Sequence, residues 1–339
     1  MATAFLAVST LQAATSVLPD TQNATQFDEN VALPYRRAFT PALHTQEALL
    51  QRLEQHLEQA AQQAGWPLSS LSDYPIILGS TAYNMAAYEH AYAMGSTQTY
   101  ALTDIATHLQ QRYRNQQVIS LSTSCTSSAL ATSYAARMVH QGFAPGAFVV
   151  GFEVFNRTTF EHFYAMQLLA QDPKSAPFTN PQGLILGEGM AVLALSAQAP
   201  TQGPALRLHS FAHVTDAVSL SNSQPEALAT LLTQCMHTSG LAPNALTAIK
   251  PQATGGADDA MELGVLQQHF PSLPVITPKQ HLGHTLGAAA ALETAWLAQQ
   301  LQNGVLPVQQ GAKTAPAKGH ILHYFLGFGG SQVAWMLSW

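Results

Sequence analysis

The sequence is short of charge and of cysteine. Only 9 % of its 339 residues are Asp, Glu, Lys or Arg, where ordinary globular chains carry roughly 25 %. Thirteen Lys and Arg stand against nineteen Asp and Glu, for a formal net charge of −6. No Lys/Arg run occurs, so the basic footprint of a nucleic-acid binder is missing. The two cysteines, Cys125 and Cys235, lie far apart with no C-x-x-C pair. That excludes a disulfide framework and fits a reducing, cytoplasmic setting. No apolar run approaches the ~18 residues needed to span a membrane. The first Lys or Arg is Arg36, so the mildly apolar start lacks the cationic head of an export signal. It predicts a first β-strand over Phe5–Ser9 instead. Neither G-x-G-x-x-G nor a Walker pattern is present, and no cofactor is implied.

So few charges leave two ways to stay in solution: Gln, Ser, Thr and His on the surface, or a large interface with another chain. Gln pairs at 62–63, 116–117, 299–300 and 309–310 support the first. Charge depletion at interface cores supports the second.

The 47 % hydrophobic content is arranged in alternating elements. Leu49, Leu50, Leu53, Leu57 and Ala60 share one face of a helix predicted over Leu49–Ala64, closed by Gly65 and Pro67. Strands are predicted at Pro75–Ser80, Val118–Ser124 and Ala147–Phe152, with a helix over Ser127–His140 between the last two. A Pro-rich connection over 171–183 leads to a strand at Gly189–Ser196. The second half repeats the scheme. It has a helix over Glu226–His237, a strand near Ala248, a helix from Asp258, a strand at Val275 and a helix over Gly287–Gln300. Strands at His320–Phe325 and Val333–Leu337 close it. This alternation argues a mostly parallel sheet layered with helices. The expected unit is one domain over 1–339, with similar halves at about 1–200 and 201–339.

The sharpest chemical feature is Ser122-Thr-Ser-Cys125-Thr-Ser-Ser. A thiol between a strand end and a helix start feels the positive end of the helix dipole and free backbone N–H groups. The same position also suits a small buried hydrophobe. Cys235, mid-helix, reads as buried. His281 and His284 have no third ligand at sensible spacing, so no metal is expected. Gly327–Gly330 reads as a flexible turn between strands, and Asp258, Asp259 and Glu262 as acids opening a helix. Phe155, Phe160, Phe163, Tyr164 and Met166 form an aromatic-rich segment suited either to a pocket wall or to core and interface packing.

Taken in order, these segments resemble the β-ketoacyl synthases, the condensing enzymes of fatty-acid and polyketide assembly. Ser122–Ser128 is similar to the family's nucleophile segment. Pro177-Phe-Thr-Asn-Pro-Gln-Gly-Leu-Ile-Leu-Gly-Glu-Gly resembles its P-F-D…G-E-G segment. Lys279…Gly283-His284-Thr-Leu-Gly-Ala-Ala resembles its K…G-H-T-x-G-A-A-G motif, and Phe325-Leu-Gly-Phe-Gly-Gly-Ser its F-G-F-G-G-T segment. The resemblance implies a five-layer αβαβα thiolase fold and a dimer. It implies that Cys125 is the acyl nucleophile, that His284 is the second catalytic histidine, and that Lys279 is supported by Glu293. It also implies substrate binding by Thr254, Phe328 and Gly329, and delivery of the acyl chain on the phosphopantetheine of an acyl carrier protein.

The sequence departs from the family at one place. Where H-G-T-G-T belongs, it reads Gln252-Ala-Thr-Gly-Gly, and the loop before Glu262 is one residue shorter. An amide donates a hydrogen bond but cannot carry a proton as imidazole does. The resemblance therefore implies a partner subunit of the chain-length-factor kind, paired with an active ketosynthase that completes the chemistry. The alternative is a homodimeric condensing enzyme or acyltransferase using Cys125, Gln252 and His284. Cys125 speaks for the alternative, since chain-length factors usually lack that cysteine.

Overall fold

A computed structural model of the protein describes residues 2–16, 19–26, 29–200 and 205–339. Nine strands hydrogen-bond into one continuous sheet. In chain order they are β1 (Thr3–Gln12), β2 (Ile76–Gly79), β3 (Val118–Leu121), β4 (Gly146–Glu153), β5 (Gly189–Ser196), β6 (Arg207–Thr215), β7 (Ala248–Lys250), β8 (His320–Leu326) and β9 (Ser331–Ser338).

Their order across the sheet is β7-β8-β9-β6-β1-β5-β4-β2-β3. Read outward from the centre, the halves repeat. In the first half β1 runs antiparallel to β5, β5 antiparallel to β4, and β4, β2 and β3 are parallel. In the second, β6 runs antiparallel to β9, β9 antiparallel to β8, β8 parallel to β7, and Ile249 of β7 bridges Val275 in parallel. The halves join where Thr3–Phe5 of β1 pair with Arg207–His209 of β6. The boundary expected at about 200/201 falls against residues 201–204, which lie outside the described residues.

Seven helices build the layers: α1 (Gln46–Gln63), α2 (Asp104–Tyr113), α3 (Ser127–His140), α4 (Arg157–Ala165), α5 (Pro225–Ser239), α6 (Asp258–His269) and α7 (Ala289–Gln302). Leu53 and Leu57 of α1 and Leu109 of α2 pack on Ile76, Leu78 and Phe148 of the first half. Leu228, Leu231 and Cys235 of α5 and Val265 of α6 pack on Ile249, Leu322 and Met336 of the second. Between the two halves lie α3 and α7. Their Ala131, Ala135, Ala291 and Ala295 meet Val149 and Leu193 from one side and Val333 and Trp335 from the other. The result is the expected αβαβα stack. Helices flanked by strands on two sides suit small residues, because small side chains let backbones approach closely.

Three elements differ from expectation. β3 stops at Leu121 instead of reaching Ser124, because Ser124 takes a left-handed φ of +52°. The strand at Val275 shrinks to one bridging residue: Pro274 brings no N–H, and Pro278 starts the next turn. The helix expected from Gly287 begins as a 3₁₀ turn over Leu286–Ala288 before α7. An antiparallel hairpin of Asp20–Gln26 with Glu29–Arg36, and a helix over Met85–Ala93, were not expected at all.

Gly79 shows how closely the layers approach. A Cβ there would sit 2.5 Å from the backbone of Ser128 at the start of α3. Gly79→Ala is therefore expected to lower stability by about 1–3 kcal/mol through overpacking. Urea unfolding measures this, and an unchanged midpoint would contradict the close contact.

Candidate functional site

Cys125 stands in the turn that links β3 to α3. The turn is tied by side chains of its own sequence. Thr126 Oγ1 donates to Thr123 O at 2.7 Å, Ser127 Oγ donates to Ser124 O at 2.6 Å, and Thr123 N–H donates to Ser127 Oγ at 2.9 Å. The Ser/Thr run thus fixes the backbone that presents the thiol, including the left-handed Ser124. Such a conformation in a non-glycine residue costs free energy, and it is held by its surroundings.

The thiol is buried, and burial pushes its pKa up to about 12. The nearby Lys279 acts in the opposite direction, and Glu153 adds to the rise. The helix start had suggested an acidified thiol; loss of water outweighs the dipole here, because burial in apolar surroundings disfavours the thiolate. At neutral pH Cys125 is a thiol.

Cys125, His284, Gln252, Thr254 and Phe328 line one cavity of about 360 Å³. Gly329 is not among its lining residues; its N–H is held by Leu220 O at 2.8 Å, while Gly327 and Gly330 line the cavity. Phe163 stacks on Phe328 with ring centroids 5.9 Å apart. The aromatic segment divides: Phe163 and Met166 face the cavity, whereas Phe155 and Phe160 pack around Tyr35.

His284 is held by its main chain, its N–H donating to Ile185 O at 2.7 Å and its carbonyl accepting from Gly187 N–H at 3.1 Å. Gly187 must be glycine, because a Cβ there would meet Leu282 O at 2.4 Å. Burial, then the positive charges of Lys279 and Lys250, hold the imidazole pKa well below its ordinary value. His284 is therefore neutral at neutral pH, and its buried Nδ1 makes no hydrogen bond within the protein.

Gln252 lies two residues beyond β7 on a loop that buried acids clamp. Glu262 accepts the Ala253 N–H at 3.1 Å and the Tyr324 hydroxyl at 2.6 Å. Asp259 accepts the N–H groups of Thr254 (3.0 Å), Gly255 (3.1 Å) and Phe178 (2.8 Å). The acids read as helix openers do stand in the first turns of α6, yet two of them serve the loop. Below it Lys279 Nζ lies 2.5 Å from Glu293 Oε1 and 3.5 Å from Gln252 Oε1. An ammonium only donates, so the amide oxygen faces Lys279 and the amide nitrogen is free for the cavity.

Two supports carry no motif of their own. Lys250 donates to the other oxygen of Glu293 at 2.6 Å. Its one sequence signal is a lysine in the apolar Ala248-Ile-Lys strand, where an unpaired charge is almost never buried. Glu153 accepts the N–H of Thr81 and, at 3.2 Å, of Gly287. Glu188 of the Leu186-Gly-Glu-Gly segment accepts from Ala38, Phe39 and Phe155 at 3.0–3.1 Å. These acids fasten the segments around the cavity. Among the described residues no three His, Cys, Asp or Glu side chains converge as metal ligands, and no helix is long and apolar enough to cross a membrane.

A thiol, a neutral imidazole and an amide donor facing one largely apolar cavity can hold a thioester and polarise its carbonyl. The amide supplies no proton.

Comparison with known proteins gives the family and the fold. The model for the β-ketoacyl synthase N-terminal domain matches residues 44–200, and that for the β-ketoacyl synthase C-terminal domain matches residues 207–313. The tetracenomycin polyketide synthase ketoacyl synthase alpha subunit of Streptomyces glaucescens is 30 % identical over 210 residues, 55 % of this chain and 48 % of that protein. Nodulation protein E of Rhizobium sp. (strain N33) is 30 % identical over 152 residues, 42 % of this chain and 38 % of that protein. The matches span less than half the length of these relatives. In fold, the chain superimposes on a chain of the ketosynthase (ApeO) in complex with its chain length factor (ApeC) from Xenorhabdus doucetiae. The TM-score is 0.79 at 19 % identity, covering 98 % of this chain and 97 % of that one. The ishigamide ketosynthase/chain length factor gives a TM-score of 0.80 at 17 % identity, covering 99 % and 98 %.

The buried thiol sets a pH dependence. With a pKa of about 12, the thiolate fraction, and with it alkylation of Cys125 by iodoacetamide, is expected to rise about tenfold per pH unit from pH 8 to 10. Peptide-resolved mass spectrometry checks it. A plateau below pH 9 would mean an acidified thiol and contradict the burial argument.

Proposed function

The chain belongs to the β-ketoacyl synthase family, and from that premise we propose that it is a partner subunit of the chain-length-factor kind. It dimerises with an active ketosynthase and shapes the cavity that receives the growing acyl chain. One observation carries the reading. Gln252 stands at the cavity where the family places a proton-carrying imidazole, and its amide oxygen is turned to Lys279. Decarboxylative condensation needs that proton handling, and removing one positioned acid or base typically lowers the rate ~10²–10⁴-fold. A subunit whose neighbour performs the chemistry tolerates the loss. The 9 % charge content fits an obligate interface, and the acyl chain would arrive on the phosphopantetheine of an acyl carrier protein.

A second reading has its own observation in support. Cys125 and His284 face the same cavity, which suits an acyltransferase that accepts a chain on Cys125 without elongating it, or an unusual condensing enzyme that uses Gln252 as a hydrogen-bond donor.

Coexpression with a ketosynthase chain carrying both histidines is expected to give a heterodimer by gel filtration, and the isolated chain is expected not to condense malonyl thioester. Condensation by the isolated chain at ordinary rates would overturn the partner reading in favour of the second. Gln252→His restores an imidazole at the cavity and is expected to raise malonyl-thioester decarboxylation by ~10²-fold or more, measured as carbon dioxide release. No gain would show that Gln252 is not what limits the chemistry.

A further inference from the structure

Lys250 is a fully buried cation beside the cavity that none of the family-like motifs contains. Glu293 on α7 carries two ammonium groups, Lys250 Nζ at 2.6 Å on Oε2 and Lys279 Nζ at 2.5 Å on Oε1. One carboxylate therefore neutralises one lysine, and with both protonated the cluster carries a net positive charge. Lys250 Nζ also lies 3.4 Å from the centroid of the Phe325 ring, a close cation–π contact. The other titratable groups facing it are Glu262 on α6, His323, which pairs with it across β7 and β8, and His284.

Stability gives no reason for the extra lysine. Burying an ion with incomplete pairing costs several kcal/mol, and replacement by an apolar side chain of similar volume is often neutral or stabilising. Without Lys250, Glu293 and Lys279 would remain a one-to-one pair. What Lys250 changes is geometry. With Lys250 on Oε2, Lys279 stands on Oε1, and from there it faces Gln252 Oε1.

We propose that Lys250 is a positioning residue: by holding one oxygen of Glu293 it keeps Lys279 turned toward Gln252 and Cys125. Gln252 then presents its amide nitrogen to the carbonyl of a bound thioester, and the cluster's positive charge lies beneath the sulfur. The inference rests on the reading of the cavity as an acyl-thioester site, but it concerns groups within this chain alone. Burial lowers the Lys250 pKa to about 7, so the cluster's charge itself varies near neutrality.

The test is iodoacetamide alkylation of Cys125 from pH 6 to 10 in the full chain, resolved by peptide, with melting temperature as the check on folding. Cys235, buried away from the cavity among α5 side chains, is the internal reference. In Lys250→Met the carboxylate is free to take Lys279 on both oxygens. Where Lys250 carries its charge, below its pKa of about 7, the positive charge near Cys125 falls and alkylation is expected to slow about tenfold at pH 6, one pKa unit, converging on wild type toward pH 10, with Cys235 unchanged. Lys250→Arg keeps the charge on Oε2 and is expected to stay within about threefold of wild type at pH 6, where Lys250 is charged too. Should Lys250→Met fail to fold, Lys250→Gln reads the same effect with a polar neutral side chain. A folded neutral variant whose Cys125 profile overlays wild type overturns the inference. Heterodimer formation is measured separately, so either reading can fail alone.

Discussion

Everything near the cavity depends on two helices packed between strands on both flanks. α3 and α7 lie between the two halves of one sheet, and each must present side chains small enough for strands on both flanks and for its neighbour. The close approach is literal. A Cβ on Gly79 or Gly151 would fall 2.5 Å from atoms of Ser128 or Ala291. The thiol is presented at the N-terminal end of one of these helices, and the paired acid Glu293 sits on the other. Their packing therefore sets the distance between nucleophile segment and lysine cluster. In a close-packed interior such a distance cannot drift by relaxation of a loop.

The same burial explains the scarcity of surface charge. Several of the chain's few ionisable groups lie inside: Glu153, Glu188, Asp259, Glu262 and Glu293 among the acids, Lys250 and Lys279 among the bases. Three of the five acids accept backbone N–H groups from segments distant in sequence. Glu188 joins residues 38–39 to 155, Glu153 joins 81–82 to 287, and Asp259 joins 178 to 254–255. Loops around a cavity cannot satisfy their own N–H groups through regular structure, and a buried carboxylate accepts several at once. Such a carboxylate, left without its donors, would be costly to bury. The acids therefore act as ties between layers. They are not a solvated face.

The layered fold was legible because its signals are local. The continuous apolar run of Gly189–Ser196 and the Leu49–Leu57 helical face each report on their own element. The four ordered motifs marked Cys125, His284 and the Gly327–Gly330 turn. The rest depends on contacts across long separations. Lys250 and Glu293 are 43 residues apart, and nothing in Ala248-Ile-Lys indicates which acid it meets. Asp259 stood where a helix opener stands, so its service to the preceding loop was hidden by a correct local reading. Gly329 was assigned to the cavity by motif, whereas its neighbours Gly327 and Gly330 line it. The strand at Val275 was legible in kind but not in length, because two prolines limit it to a single bridge.

A buried thiol with a pKa near 12 and a neutral imidazole do not by themselves form an activated pair, since neither group is charged at neutral pH. Attack on a thioester would need the sulfur's proton to move as the bond forms, and among the described residues the positive charge acting on Cys125 is that of Lys279. Gln252 adds a hydrogen-bond donor but no proton acceptor. The departure at residue 252 and the charge on the lysines are therefore one question. A site of this composition offers a developing oxyanion hydrogen-bond donation from Gln252 and the positive charge of the lysines.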